Sequence, residues 1–384
     1  MPFRRMLAPL LLLAATLACG GGGSTSWGGA STGTLTVRFG TDSFPGYDQA
    51  VVSLEKLEGT TNGTSWTTLG TVRATYDLMN LQNGNSVKIL PATSVPAGAY
   101  SQFRITWAMI NYSDQSRQAA YVVLPGVTTG LLMSMPTTTV IPASVNVSSG
   151  GSATAQIMLS GQQAIQQRAG TPTYTFQATG QAYDLSQVAS IAGKLTDGTT
   201  PLVGAEVYAE TVDGLQVATI QRRAFTDATG SYLLECLPAG ASTAYFVVSQ
   251  PASTLSAYAA EASSPISVAA ATTATANLAF SGAQQSGALT LTINPPSLPT
   301  VATWGELRQN LAAGPGLLEN LIVRSQSAVT SASQDQVYFT GLAPSFYGVT
   351  AQRSTAGAVP VTKAYGSQVQ VSSGAIASAN LSYP

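Results

Sequence analysis

Three stretches of this chain follow one plan. SVNVSSGGSATAQIML (144–159), PISVAAATTATANLAF (265–280) and QVQVSSGAIASANLSY (368–383) each open as an alternating valine strand. Each then passes through a turn of small residues and runs through Ala and Thr into a second alternating strand. Alternation with period two suits a strand with one apolar face and one wet face. Each copy also follows a strand of the form YSQFRITW, AYFVVSQP or FYGVTAQR, entered from a Pro- or Gly-bearing turn. Self-similarity of this kind marks a repeated supersecondary unit. It predicts three domains of related build, ending near 185, 283 and 384. The competing reading is that Ser/Ala/Thr strands resemble one another by chance.

The rest of the chain reads the same way. In YSQFRITWAMI, Phe103, Ile105, Trp107 and Met109 fall on one face, which predicts Trp107 in a core. SLEKLEGTTNGTSWTTLG is two strand-like runs about Asn62-Gly63, a dipeptide that favours the hairpin turn. Asn83-Gly84, Asp197-Gly198 and Asp213-Gly214 are further turn signals. Helix signals are two: TWGELRQNL, with Thr303 and Glu306 at capping-box spacing, and a short apolar turn over 77–81. The expected fold class is all-β, three tandem immunoglobulin- or transthyretin-like β-sandwiches after a signal peptide and a Gly-rich tether. The expected bounds are 1–18 for the signal, 19–33 for the tether, and 34–185, 188–281 and 286–384 for the domains, with 184–187 and 284–287 as linkers.

Composition narrows the function. Hydrophobic residues make up 45%, enough for real cores, while charged residues make up only 9%, so Ser, Thr, Gln, Asn and Gly must cover the surface. A net charge of −1 gives no electrostatic reason to expect nucleic acid as a partner. Histidine is absent, which excludes Ser-His-Asp triads, Cys-His dyads and His-ligated zinc. No cofactor is expected, and no enzyme activity.

The chain opens with Arg4 and Arg5, an apolar run from Met6 to Leu17, and the small residue Ala18, the order of an export signal. An apolar run this short cannot span a bilayer, which needs about 20 residues. TLAC at Thr16 to Cys19 resembles a bacterial lipoprotein signal. The resemblance implies lipidation of Cys19 and a membrane partner through that N-terminal lipid anchor, with the protein in the cell envelope, on the outer membrane. Thr16 and Leu17 depart from the family's Leu and small residue, and secretion or periplasmic release after cleavage near Ala18 is the alternative. Glycines from Gly20 onward fit a flexible tether.

Two further resemblances cover the folded part. GTLTVRFGTDS, YDQAVVSLEKLE, YDLMNLQNGNSVKIL, VPAGAYSQFRI and TYTFQATGQAYDL, in this order, resemble the family called domain of unknown function 4382. That implies an all-β lipoprotein domain with no known activity. IAGKLTDGTTPLVGAEVYAE, AFTDATGSYLLECLPAG and YFVVSQ look like the carboxypeptidase regulatory-like, or transthyretin-like, sandwich. In that stretch Gly204-Ala205 is expected to let strands approach closely. The last domain resembles the second by its ending alone.

Candidate site residues are few. Asp42 and Asp48 share the loop FGTDSFPGYDQA, where they cap turns or hold a cation with backbone carbonyls. Trp66, just past a hairpin turn, and Tyr112, past a strand end, are candidates for an exposed sugar-stacking surface. Cys236 shares a strand face with Tyr232 and Leu234 and reads as a buried small hydrophobe. The expected role is a non-catalytic surface binding or structural module with a glycan or protein partner. The alternatives are a carbohydrate-binding protein using exposed aromatics and, more remotely, an envelope hydrolase with Lys194 or Lys88 buried beside a serine.

Overall fold

The computed structural model describes residues 31–43, 46–126, 131–168, 173–240, 243–253, 255–297, 301–355 and 359–384. The signal, Cys19 and all but the end of the expected tether lie outside them. Nearly all regular structure is β, as the alternation requires, and the strands form three sandwich-like units.

The first unit contains β1 (Thr32–Thr41), β2 (Gln49–Thr60), β3 (Thr67–Asp77), β4 (Val87–Pro96), β5 (Gly98–Trp107) and β6 (Tyr121–Val123). It continues with β7 (Leu131–Ser134), β8 (Thr138–Val147), β9 (Ser152–Leu159), α1 (Gly161–Ala164), β10 (Ile165–Arg168), β11 (Thr173–Phe176) and β12 (Gly180–Asp184). Its main path runs β10-β11-β7-β6-β2-β5-β8-β12-β9-β1-β4, with β3 paired to β2, around a core that includes Phe39, Phe103, Trp107 and Phe176. Trp107 sits edge-on to Phe176 and donates its indole N–H to Thr139 at 2.8 Å, the partner a buried indole needs. Met109, expected on the same face, lies beyond the strand end and is exposed. The short turn Leu78–Leu81 forms as a 3-10 helix capped by Asp77.

The second unit holds β13 (Val188–Asp197), β14 (Thr200–Pro201), β15 (Glu206–Val212), β16 (Ala218–Phe225), β17 (Ser231–Pro238) and β18 (Ala244–Ser249). Short strands follow: β19 (Ser256–Ala257), β20 (Glu261–Ala262), β21 (Ile266–Ser267), β22 (Thr273–Thr275), β23 (Leu278–Phe280) and β24 (Gln284–Gln285). One sheet is built on β13 and β17, the other on β16-β15-β18. The third unit comprises β25 (Gly287–Asn294), β26 (Val301–Ala312), β27 (Leu318–Ser327), β28 (Val329–Thr330) and β29 (Asp335–Leu342). It ends with β30 (Ser345–Thr355), β31 (Val361–Ala364), β32 (Val369–Val371) and β33 (Ile376–Ser382).

The repeated stretches share one arrangement. The second strand of each, which in the first unit β10, β11 and β12 still follow, runs parallel to the first strand of its unit: β9 along β1, β22 and β23 along β13, and β33 along β25. The turn before it uses a left-handed residue each time, Gly150 (φ 69°), Ala271 (φ 58°) and Gly374 (φ 67°). A Cβ on Gly33 would lie 2.4 Å from the Ser148 carbonyl oxygen, and one on Gly287 2.4 Å from that of Ser372, so both openings need glycine for the same close approach. The strand-entry tyrosines Tyr100, Tyr245 and Tyr347 donate their hydroxyls to the carbonyls of Pro96, Pro238 and Ala343 at 2.8, 2.7 and 2.7 Å.

Two expectations are corrected. TWGELRQNL is not a helix but the middle of β26, because β27 and β30 pair with it on both sides and tertiary pairing outweighs local propensity. Gly204 is not a close approach: a Cβ there would meet nothing within 4 Å, and its φ of 68° is what calls for glycine. The close approach is at Gly193, where a Cβ would fall 1.6 Å from the carbonyl oxygen of Ala276. The stretches 184–187 and 284–287 between units are held locally. Asp184 accepts from the N–H and hydroxyl of Ser186, and Gln284–Gln285 pair with Ser256–Ala257.

Candidate functional site

The units meet along seams made by sealing sheet edges. β16 is the last strand of its sheet and would leave outward N–H groups unpaired. The first unit covers it with side chains: the Asp42 carboxyl accepts from the Arg223 main-chain N–H, and Asn83 accepts from that of Phe225 at 3.1 Å. β27 is likewise a sheet edge, and the second unit covers it. Glu210 accepts from the Ile322 N–H at 2.9 Å, Tyr208 from that of Ser325 at 3.1 Å, and Arg223 donates to the Ser325 carbonyl at 3.3 Å. β10 and β28 close the circuit between first and third units with a two-residue parallel ladder, Gln167↔Val329 and Arg168↔Thr330.

Where the three units face one another lies a cleft of about 1190 Å³, with walls from β8, β12, β16, β26 and β30. Its charges are held in place. Arg222 stacks over the Tyr183 ring at 4.7 Å and donates to the carbonyls of Glu235 and Cys236 at 3.0 and 2.9 Å. Arg223 pairs with Glu206 at 3.1 Å. Glu306 accepts from the Trp304 indole, Arg308 and Gln352 at 3.2, 2.8 and 2.6 Å. Burial raises the Asp42 pKa, against the pull of the Arg222 and Arg223 guanidiniums. Glu210, completely buried, has its pKa raised well above the ordinary carboxylate value by burial.

The residues singled out in the sequence fall at separate places. Asp42 faces the two arginines, whereas Asp48 is exposed and donates its N–H to the Val123 carbonyl. Among the described residues no group of three or more His, Cys, Asp or Glu could hold a metal. Trp66 is half-buried under the Arg104 guanidinium, 4.4 Å from the ring, and Arg104 pairs with Glu58 at 2.7 Å. Tyr112 donates its hydroxyl to Glu55, which also accepts from Arg73. That phenol contact, followed by Arg73, lowers the Glu55 pKa. Lys88 and Lys194 are exposed.

Cys236 is buried, but not in the core its strand face predicted. Its φ of 55° breaks the alternation, so Leu237 takes the core position and Cys236 packs with Met158, Tyr183 and Val188 between the first two units. Burial pushes its thiol up to about 12. Arg222 and Arg223 were missed by sequence reasoning. The available signal was a dibasic pair in the strand ATIQRRAF of a chain so poor in charge, since adjacent strand residues point to opposite faces and both faces must then meet partners.

Residues 32–177 match the family model described as Domain of unknown function (DUF4382), in agreement with the resemblance read from the first unit. No curated protein matches the chain. Among solved structures, the chain is similar to the Bacillus anthracis TIE protein at 13% identity and a TM-score of 0.21, covering 91% of this chain and 50% of that one. It thus spans half the length of that protein. The shaft pilin SpaA from Lactobacillus rhamnosus GG is similar at 10% identity and a TM-score of 0.18, covering 52% of this chain and 98% of the pilin. A leucine-rich repeat protein from Bacteroides thetaiotaomicron is similar at 14% identity and a TM-score of 0.23, covering 52% and 26%. Nothing about function follows from scores this low. Among the described residues, no helix is long and apolar enough to cross a membrane.

Proposed function

We propose that the protein is a non-catalytic binding and structural module of the cell envelope, exported by its opening segment and held to the outer membrane by a lipid on Cys19. The observation that carries the reading is the construction of the seams. Side chains of the first unit cap the edge of the second, buried side chains of the second cap that of the third, and a two-residue strand ladder joins the first and third, which makes three sandwiches into one body around a preformed cleft. Such a body suits passive recognition, with loops and clefts carried on a stable support. The carboxylates Glu58, Glu306 and Asp335 support the non-catalytic side, because each is engaged by an arginine at 2.7 or 2.8 Å. The second unit, with its two facing sheets, fits a transthyretin-like accessory module.

Detergent partitioning and protease treatment of intact cells test the reading. We expect the wild-type chain in the detergent phase and accessible to added protease, and Cys19→Ser in the aqueous phase. A chain found in the cytosol with its first residues uncut overturns it.

A further inference from the structure

We propose that the junction cleft binds a neutral, hydroxyl-rich oligosaccharide, which rests on the binding-module reading above and gives it a ligand class. The cleft's arginines and Glu306 already have partners inside the protein, so an ionic ligand would have to displace existing bonds. What is free is neutral. Gln102 on β5, Gln163 on α1 and Gln181 on β12 line the cleft and make no side-chain hydrogen bond among the described residues. Thr138 and Thr219 add exposed hydroxyls from two different units. A primary amide offers two donors and an acceptor together, which matches adjacent sugar hydroxyls. In the same lining Val140, 46% exposed, and the exposed Pro142 present apolar surface of the kind the C–H face of a sugar ring covers.

A peptide fits less well. An extended peptide gains affinity by adding a strand to a free sheet edge. In this cleft β8, β12 and β26 are paired on both sides, and the outward N–H of Arg223 on the edge strand β16 is taken by Asp42.

The test is calorimetry on the detergent-solubilised full chain with neutral gluco-, xylo- and mannohexaose, an acidic galacturonic hexamer and a Ser/Gln-rich peptide. We expect at least one neutral sugar to bind. The double substitution Gln102→Ala/Gln181→Ala should weaken it about tenfold, as loss of a few neutral hydrogen bonds does, with unchanged melting because neither amide supports the fold. Failure of every neutral sugar, or tighter binding of the acidic hexamer or the peptide, overturns the proposal. Sugar binding abolished by Trp66→Ala but kept in the double variant also overturns it, while leaving the binding-module reading intact. Turnover of a bound sugar would instead overturn the non-catalytic reading.

Discussion

The two seams flanking the second unit use the same device and differ in what surrounds it. Between the second and third units the sealed edge lies inside a continuous apolar core. Ala218, Phe246, Val248 and Ala260 from the second unit pack with Leu307, Leu321, Ile322 and Tyr347 from the third. Between the first and second units the apolar part shrinks to Met158, Tyr183, Val188 and Cys236, with Leu185 beside them. The rest is polar, including Gln156 donating to Glu235 at 2.7 Å. Apolar burial is non-directional and little affected by salt, whereas polar contacts depend on geometry and solvent. The second and third units should therefore behave as a permanent pair, and the first as the member whose attachment responds to conditions.

The largest expected effect is on the apolar seam. Phe246→Ala should destabilise the second and third units together by about 3–5 kcal/mol, read as one earlier transition in urea. If only the second unit melts early, the shared core is not a shared folding unit. On the polar seam, Arg222→Met should cost roughly 2 kcal/mol, because the buried carbonyls of Glu235 and Cys236 lose a charged donor. In a Cys19→Ser background, that variant should also speed the labelling of Cys236 by a thiol reagent, which the buried, high-pKa thiol otherwise resists. Unchanged labelling would mean that Cys236 does not report on this seam.

Glu210 gives the apolar seam one pH-dependent element. Folded, it keeps a proton that the unfolded chain releases near its ordinary value of 4.5. The stability it contributes is complete below that pH and is lost as pH rises toward the elevated folded value. Glu210→Gln should match the wild type near pH 4.5 and exceed it at pH 8 in unfolding free energy from denaturant titration, by less than about 1.4 kcal/mol for each intervening pH unit. Equal pH slopes would show that Glu210 is ionised when folded. The smallest effect belongs to the exposed pair Arg73–Glu55: Arg73→Ala should leave the melting midpoint unchanged, since solvent screens such pairs.

The sequence made the units legible and the seams illegible, for a physical reason. Alternation reports which strand face is wet in an isolated sheet, and it placed Trp107 in the core. But it made hairpins of three stretches whose two strands each pair elsewhere: β8 and β9 with β12 between them, β21 with β18 but β22 with β13, and β32 with β30 but β33 with β25. It has no means of reporting a face that is dry because another unit covers it. β26 shows the cost: Trp304, Glu306 and Arg308 face the junction while Leu307 packs in its own core, so the strand is buried on both sides and its spacing imitated a helix. Cys236 was misplaced likewise, because a single left-handed residue shifts the pattern by one. The polar side chains lining the cleft carry no periodic signal at all, being drawn from many strands of all three units and a helical turn, far apart in the chain.

The short ladder between β10 and β28 joins the two units that the chain itself does not connect directly. Three bodies each touching the other two form a braced triangle, in which no single joint can swing while the others hold. A guest must then enter through the existing gap, and widening that gap means releasing one whole side of the triangle. Removing the last unit would do more than shorten the protein: it would unbrace the first pair and leave Phe246 and Val248 facing water.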